Sequence, residues 1–85
     1  MELIRKAANN DGDYVTFQRT SIKTKILYHV DLYNSRTGKS LTVFSTEMSS
    51  EALGCKYIER TVKEAGMEVF NEACDFMGIE SGLDE

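Results

Sequence analysis

The sequence predicts an α+β fold, a three-stranded antiparallel sheet packed against a long C-terminal helix, with a short helix at the N-terminus. Three observations predict it. Ile26, Tyr28, Val30 and Leu32 alternate with Leu27, His29, Asp31 and Tyr33, the period of a half-buried strand. Residues 34–39, reading N-S-R-T-G-K, suit a type I turn in which Gly38 supplies the positive φ that returns the chain. After Phe44 the apolar period changes from 2 to 3.6, and Cys55, Ile58, Val62, Ala65, Val69, Ala73 and Phe76 fall within one ~80° helical stripe.

Taken in order, Leu3, Ile4, Ala7 and Ala8 have helical spacing and predict a short helix, ended by the turn signal Asn-Asn-Asp-Gly at 9–12. A strand closing a hairpin through Asp11-Gly12 is the alternative, because Asp-Gly is a favoured hairpin turn. Residues 13–20 are β-branched and aromatic and read as a strand, with Val15 and Phe17 towards the core and Tyr14, Thr16 and Gln18 away from it. Residues 20–24 form a polar connection carrying Lys23. If Asn34 pairs with Lys39, Leu32 faces Leu41, Val30 faces Val43 and Tyr28 faces Ser45 on the core side. On the other side, Asp31 then faces Thr42 and His29 faces Phe44.

Thr46 or Ser49 is the expected N-cap of the final helix, with Glu47 and Glu51 in a first turn whose dipole favours carboxylates. The stripe keeps its phase through Gly66, which predicts one continuous or kinked helix. Two helices, or a helix followed by a strand at residues 67–70, are the alternatives, since Gly66 also suits a helix C-terminus. Gly78 is the expected cap at the end. Running from Ser50 to Met77, such a helix is about 42 Å long, longer than a domain of this size is wide. Its second half then leaves Val69, Phe70, Ala73, Phe76 and Met77 uncovered, which predicts either a homodimer through this segment or a fold-back at Gly66.

The 85 residues make one domain, placed at residues 1–78, with residues 79–85 as a flexible acidic tail. No apolar run approaches the ~18 residues that span a bilayer, and the first residues lack the apolar segment of a secretory signal, so no membrane partner and a cytoplasmic location are expected. Cys55 and Cys74 lack the spacing of a metal or redox pair and read as buried free thiols; no metal or cofactor is predicted.

Charge is sharply segregated. Residues 1–46 carry seven bases and four acids, residues 47–63 balance, and residues 64–85 carry seven acids and no base. Glu64, Glu68, Glu72 and Asp75 recur every three or four residues, a carboxylate stripe beside the apolar one. Like charges at that spacing destabilise an isolated helix by a few tenths of a kcal/mol per pair. A solvated acidic face explains the stripe without function; docking on a basic surface gives its cost a use.

The bases Arg19, Lys23, Lys25, Arg36 and Lys39 fall on the sheet half with Tyr14 and Tyr33 nearby in sequence, where stacking and phosphate contacts favour single-stranded nucleic acid. A net charge of −4 argues against that reading. Gly38-Lys39-Ser40 matches the end of a phosphate-binding loop, but Tyr33 occupies the position of its first glycine. His29 and Asp31 share a strand face, half of a general-base arrangement, with no nucleophile placed beside them. The order helix, three strands, helix is shared with the double-stranded RNA-binding domain. The basic N-terminus of that family's second helix is replaced here by Glu47-Met48-Ser49-Ser50-Glu51, so only topology is shared.

The sequence therefore predicts a non-catalytic protein-binding module of inhibitor or adaptor type. Its acidic helical face, Glu64, Glu68, Glu72 and Asp75, docks on a basic protein surface, including one that handles nucleic acid. Nucleic-acid binding by the sheet half is the alternative.

Overall fold

The computed structural model describes residues 2–49 and 56–79. Four strands, β1 (Glu2–Ala8), β2 (Tyr14–Ile22), β3 (Lys25–Asn34) and β4 (Lys39–Ser49), form an antiparallel meander in sequence order. One helix, α1 (Lys56–Met77), crosses one face. The α+β class and the C-terminal helix match the sequence reading, whereas the strand count and the N-terminal helix do not. With four strands and no N-terminal helix, the order shared with the double-stranded RNA-binding domain also disappears.

Residues 2–8 are a strand because their turn is built for a hairpin. Asn9 Oδ1 accepts hydrogen bonds from the Asp11 and Asp13 amides, both at 3.0 Å, and the Asn9 amide donates to the Asp13 carbonyl at 3.1 Å. The helical spacing of Ile4 and Ala7 has a different origin. A register shift between Leu3 and Arg5 lets two residues of opposite parity both pack against the core.

β4 carries a similar irregularity. Residues 39–42 pair with β3 in the predicted register, but between Val30 and Asp31 the pairing slips by one, leaving Val43 as the extra residue. Val30 therefore faces Phe44 rather than Val43, Tyr28 faces Thr46 rather than Ser45, and His29 faces Ser45 rather than Phe44. The slip brings Phe44 to the helix side, where it packs on the core. Thr46, Glu47 and Ser49 continue the strand to its pairing with Lys25, so none of them starts the helix. Ser50, Glu51 and Cys55 lie outside the described residues.

The core lies between sheet and helix: Val15 and Phe17 from β2, Ile26, Tyr28 and Val30 from β3, and Phe70, Ala73 and Cys74 from α1. The helix is continuous through Gly66, which excludes the fold-back and the strand at 67–70. Its 22 residues span about 33 Å. The second half does not overhang as expected: Phe70 and Ala73 are buried, Val69 and Met77 are half-buried, and only Phe76 of that group is exposed.

The sheet-facing line is centred on Gly66, Phe70, Ala73 and Cys74, so the helix is turned by less than one residue step from the predicted line: Ala73 stays in the core, Val69 is half-buried, and Ala65 and Phe76 are exposed. Gly66 explains the rotation. A Cβ there would sit 2.4 Å from Phe17 Cζ, so the glycine lets the ring press against the helix backbone and turns this face inward.

At the C-terminus, Gly78 (φ 70°) closes the helix as expected. The Ile79 amide donates to the Cys74 carbonyl (2.8 Å) and the Gly78 amide to that of Asp75 (3.2 Å), the paired bonds of a Schellman motif. Ile79, placed in the tail by the sequence reading, is buried over Cys74's end of the core. Residues 80–85 lie outside the described residues.

Candidate functional site

The rotation of α1 decides what the molecule presents. The apolar stripe is therefore split: Ala73, with Val62 and Val69 beside it, packs on the core, while Ile58, Ala65 and Phe76 stand exposed on the flank over the β4 edge of the sheet. There Val69, Ala73 and Phe76 join Leu32, Leu41 and Val43 around an open groove of about 550 Å³. Phe76 is 83% exposed and Leu41 60%. Ile58 and Ala65, at helical spacing from Val69 and Phe76, continue the exposed flank towards the N-terminus of α1.

All four carboxylates of the predicted acidic face are exposed. Glu72 also lines the apolar groove, while Glu64 and Glu68 line a second groove of about 610 Å³ on the opposite flank with Arg60, Lys63 and Met67. The ridge thus runs along the outward side of the helix between two grooves. Along α1 itself the bases Arg60 and Lys63 precede Glu64, and residues 64–77 contribute carboxylates as their only charged groups, Glu68, Glu72 and Asp75 among them.

One helix acid, Glu59, serves the fold instead. Its carboxylate accepts a 2.6 Å hydrogen bond from the Tyr28 hydroxyl and lies 3.5 Å from Arg19 Nε. Burial, reinforced by that hydrogen bond, pushes the Tyr28 phenol up to about 12. Burial likewise raises the Cys74 thiol, with Asp75 adding to it, which keeps this free cysteine protonated and unreactive.

The bases proposed for nucleic acid do not converge. Arg19 is on the helix side, in ion pairs with Glu2 and Glu59. Lys23 and Lys25 stand at the β2–β3 turn, where Lys25 pairs with Glu47 at 3.3 Å. Arg36 and Lys39 stand at the far end of β3, about 30 Å away for a ten-residue strand. Gly38-Lys39-Ser40 lies in the β3–β4 turn and first strand residues, with no helix N-terminus to cradle a phosphate.

On the sheet face opposite α1 the sequence reading named Tyr14 and Tyr33 as stacking groups and His29 with Asp31 as a pair, and cross-strand register brings them together with Thr16, Ser40 and Thr42. Pairing sets them in rows. Tyr14, Tyr33 and Ser40 form one, and Lys6, Thr16, Asp31 and Thr42 the next. Tyr14 and Tyr33 stack with centroids 4.9 Å apart and planes 19° apart, and Lys6 Nζ lies 4.9 Å from the Tyr14 centroid.

Asp31 accepts from Thr42 Oγ1 at 2.5 Å and holds His29 Nδ1 at 2.9 Å. Gln18 Nε2 donates to Thr16 Oγ1 at 3.3 Å, and Thr16 is only 6% exposed although it lies on the face away from α1. These side chains surround a polar pocket of about 280 Å³. The expected His29–Asp31 pair is therefore real, and Ser45 rather than Phe44 is the cross-strand partner of His29. Among the described residues no hydroxyl or thiol is hydrogen-bonded to that imidazole, so the pair has no activated nucleophile.

Comparison with protein families, with curated proteins and with solved structures finds no match for this chain. Among the described residues no group of three His, Cys, Asp or Glu side chains is placed to hold a metal ion, and no helix is long and apolar enough to cross a membrane.

Proposed function

We propose that this chain is a non-catalytic protein-binding module, of inhibitor or adaptor type, whose recognition surface is the outward side of α1. The observation that carries the reading is the juxtaposition of the exposed carboxylates Glu68, Glu72 and Asp75 with an apolar groove in which Phe76 and Leu41 stand open. An acidic ridge beside an apolar slot selects a protein that offers a lysine or arginine cluster next to one large apolar side chain. The charges steer the encounter, and the slot supplies the desolvated anchor. A partner surface of that kind is one that also suits nucleic acid.

The test compares the wild type with E68K/E72K/D75K and, separately, with Phe76→Asp, after circular dichroism has shown both folded. A partner captured from the native source is purified and its binding remeasured by calorimetry. Charge reversal is expected to weaken it roughly 100-fold, at about 1 kcal/mol per reversed charge, and to reduce its dependence on salt. Unchanged affinity in both variants overturns the reading. A second copy of this chain is the other occupant the apolar groove could take. If light scattering finds a dimer that Phe76→Asp dissociates while E68K/E72K/D75K leaves partner affinity intact, homodimerisation replaces heterologous docking at this surface.

A further inference from the structure

We infer that the sheet face opposite α1 carries a second, independent site, a slot for a planar nitrogen heterocycle of the nucleobase kind against Tyr33. Strand order makes the slot. β1 and β3 flank β2 on opposite sides, so Tyr14 is held between Lys6 on one side and the parallel ring of Tyr33 on the other. Tyr33 has one face on Tyr14 and turns its second towards β4, where its cross-strand partner is Ser40, a residue too small to cover it. Along that row the sequence is aromatic, aromatic, small, which leaves Ser40 as the low end of a pocket that Tyr33, Asp31 and Thr42 line and that extends to Tyr14, Thr16 and Gln18 of β2. A ring placed there continues the stack by one member.

The walls of the slot state which ring it takes. Asp31 lies in the adjacent row, already oriented by Thr42 and His29, and an ionised carboxylate that accepts two hydrogen bonds has lone pairs left for further donors. Ser40 Oγ and the amide of Gln18 add groups able to donate or accept at the rim. The ligand edge must therefore present N–H donors, as the amino groups of adenine, cytosine and guanine do. A volume of about 280 Å³ lies just below the usual range of ligand pockets and suits one ring system rather than a larger cofactor.

Tyr33, stacked on Tyr14, and Asp31, bonded to Thr42 and His29, are positioned before any ligand arrives, which lowers the ordering cost of binding. The face holds Lys6 and Lys25 against Asp31 and Glu47, so it offers no basic track for a phosphate backbone, and the base itself is what it recognises. The same ring reaches the slot as a free nucleoside or as one base of a single strand.

The experiment is a titration of isotope-labelled protein, followed by amide chemical shifts, with adenosine and cytidine in one arm and with short single-stranded oligo-dA and oligo-dC in the other. One stacked base with a few hydrogen bonds predicts a Kd on the order of 1 mM for a nucleoside. Tyr33, Asp31, Ser40 and Thr42 should shift, with uridine weaker than cytidine.

Tyr33→Ala should weaken binding at least about tenfold and Tyr33→Phe should retain it. Asp31→Asn should erase the preference for amino-bearing bases. Saturation by nucleosides, insensitive to salt, identifies a mononucleoside site. Tight binding by oligonucleotides alone, falling with salt, identifies a strand. Either supports the slot.

No shift in these residues at concentrations on the order of 10 mM, where a 1 mM site is nearly saturated, overturns it, as does full binding by a folded Tyr33→Ala variant. E68K/E72K/D75K should bind nucleoside like the wild type, so failure here and failure of the α1 surface are separately visible.

Discussion

Gly66 is the residue on which the helix–sheet interface turns. In an isolated helix, Gly→Ala gains about 1 kcal/mol. Here the added methyl would lie 2.4 and 2.7 Å from two carbons of the Phe17 ring, which is fully buried and has nowhere to retreat. Overpacking of that kind costs about 1–3 kcal/mol, so the loss outweighs the propensity gain. We expect Gly66→Ala to be less stable than the wild type by up to about 2 kcal/mol, the overpacking cost less the propensity gain, read from the midpoint of urea unfolding. A variant more stable than the wild type would show that the ring yields and that Gly66 does not set the rotation of α1. The glycine itself is conspicuous in the sequence as a poor helix former inside a sustained stripe. Its contact is not legible there, because the ring it meets lies 49 positions earlier.

At the scale of the element, both irregular strands show why period alone misleads. Ile4 and Ala7 look helical and Phe44 looks outward-facing because a bulge inserts one residue and exchanges the two faces beyond it. Short of such an insertion the facing of β2 and β3, the β3–β4 turn and the first four pairs of β4 all lie as the alternation implies. β2 nonetheless runs on to Ile22 through residues read as a polar connection, because Thr20, Ser21 and Ile22 still pair with Leu27, Ile26 and Lys25. The bulge makes a sharp prediction. Deleting Val43 should leave Thr42 opposite Asp31 and Phe44 opposite Val30, so every core side chain keeps its face. We expect this deletion to fold with stability within about 1 kcal/mol of the wild type, the scale of surface changes that disturb no core contact. Deleting Thr16 from β2 should abolish folding, since the residues on one side of the gap would turn their core face to solvent. Circular dichroism and amide dispersion distinguish the outcomes. An unfolded Val43 deletion would mean that the bulge is itself required. The acidic ridge was legible because a helix of any rotation displays residues 64, 68, 72 and 75 together, whereas the apolar groove and the Tyr33 slot required knowing which strand lies beside which.

Across the whole molecule, two hydrogen-bonded groups at opposite ends of the sheet tie its parts and make stability depend on pH in opposite senses. Asp13 joins the β1–β2 and β3–β4 turns. Its carboxylate accepts from the Ser35 amide and hydroxyl, both at 2.7 Å, and from Asn9. Those bonds, the Ser35 amide foremost, lower its pKa below the usual carboxylate value. A lowered folded pKa supports the fold above the unfolded value and is lost as pH falls through the folded one. Asp13→Asn should therefore flatten the acid limb of the stability profile.

Tyr28 acts at the alkaline end, where it fastens β3 to the first turns of α1 through Glu59. Its folded pKa, about 12, lies above the ordinary 10, chiefly because the phenol is buried. A raised pKa contributes stability that is complete below pH 10 and declines as pH climbs towards 12. The slope is at most about 1.4 kcal/mol per pH unit, the free energy of one proton. High pH affects the rest of the chain equally in both variants, so the informative quantity is a difference. Urea unfolding at pH 10 and at pH 12 should show the wild type losing about 2 kcal/mol more than Tyr28→Phe over that interval. Equal losses would mean that Tyr28 ionises as freely in the folded chain as in the unfolded one, and that the Glu59 contact does not hold α1 on the sheet. A difference confined to this window would place the buried phenol, rather than the surface charges around it, as the group through which the helix responds to alkali.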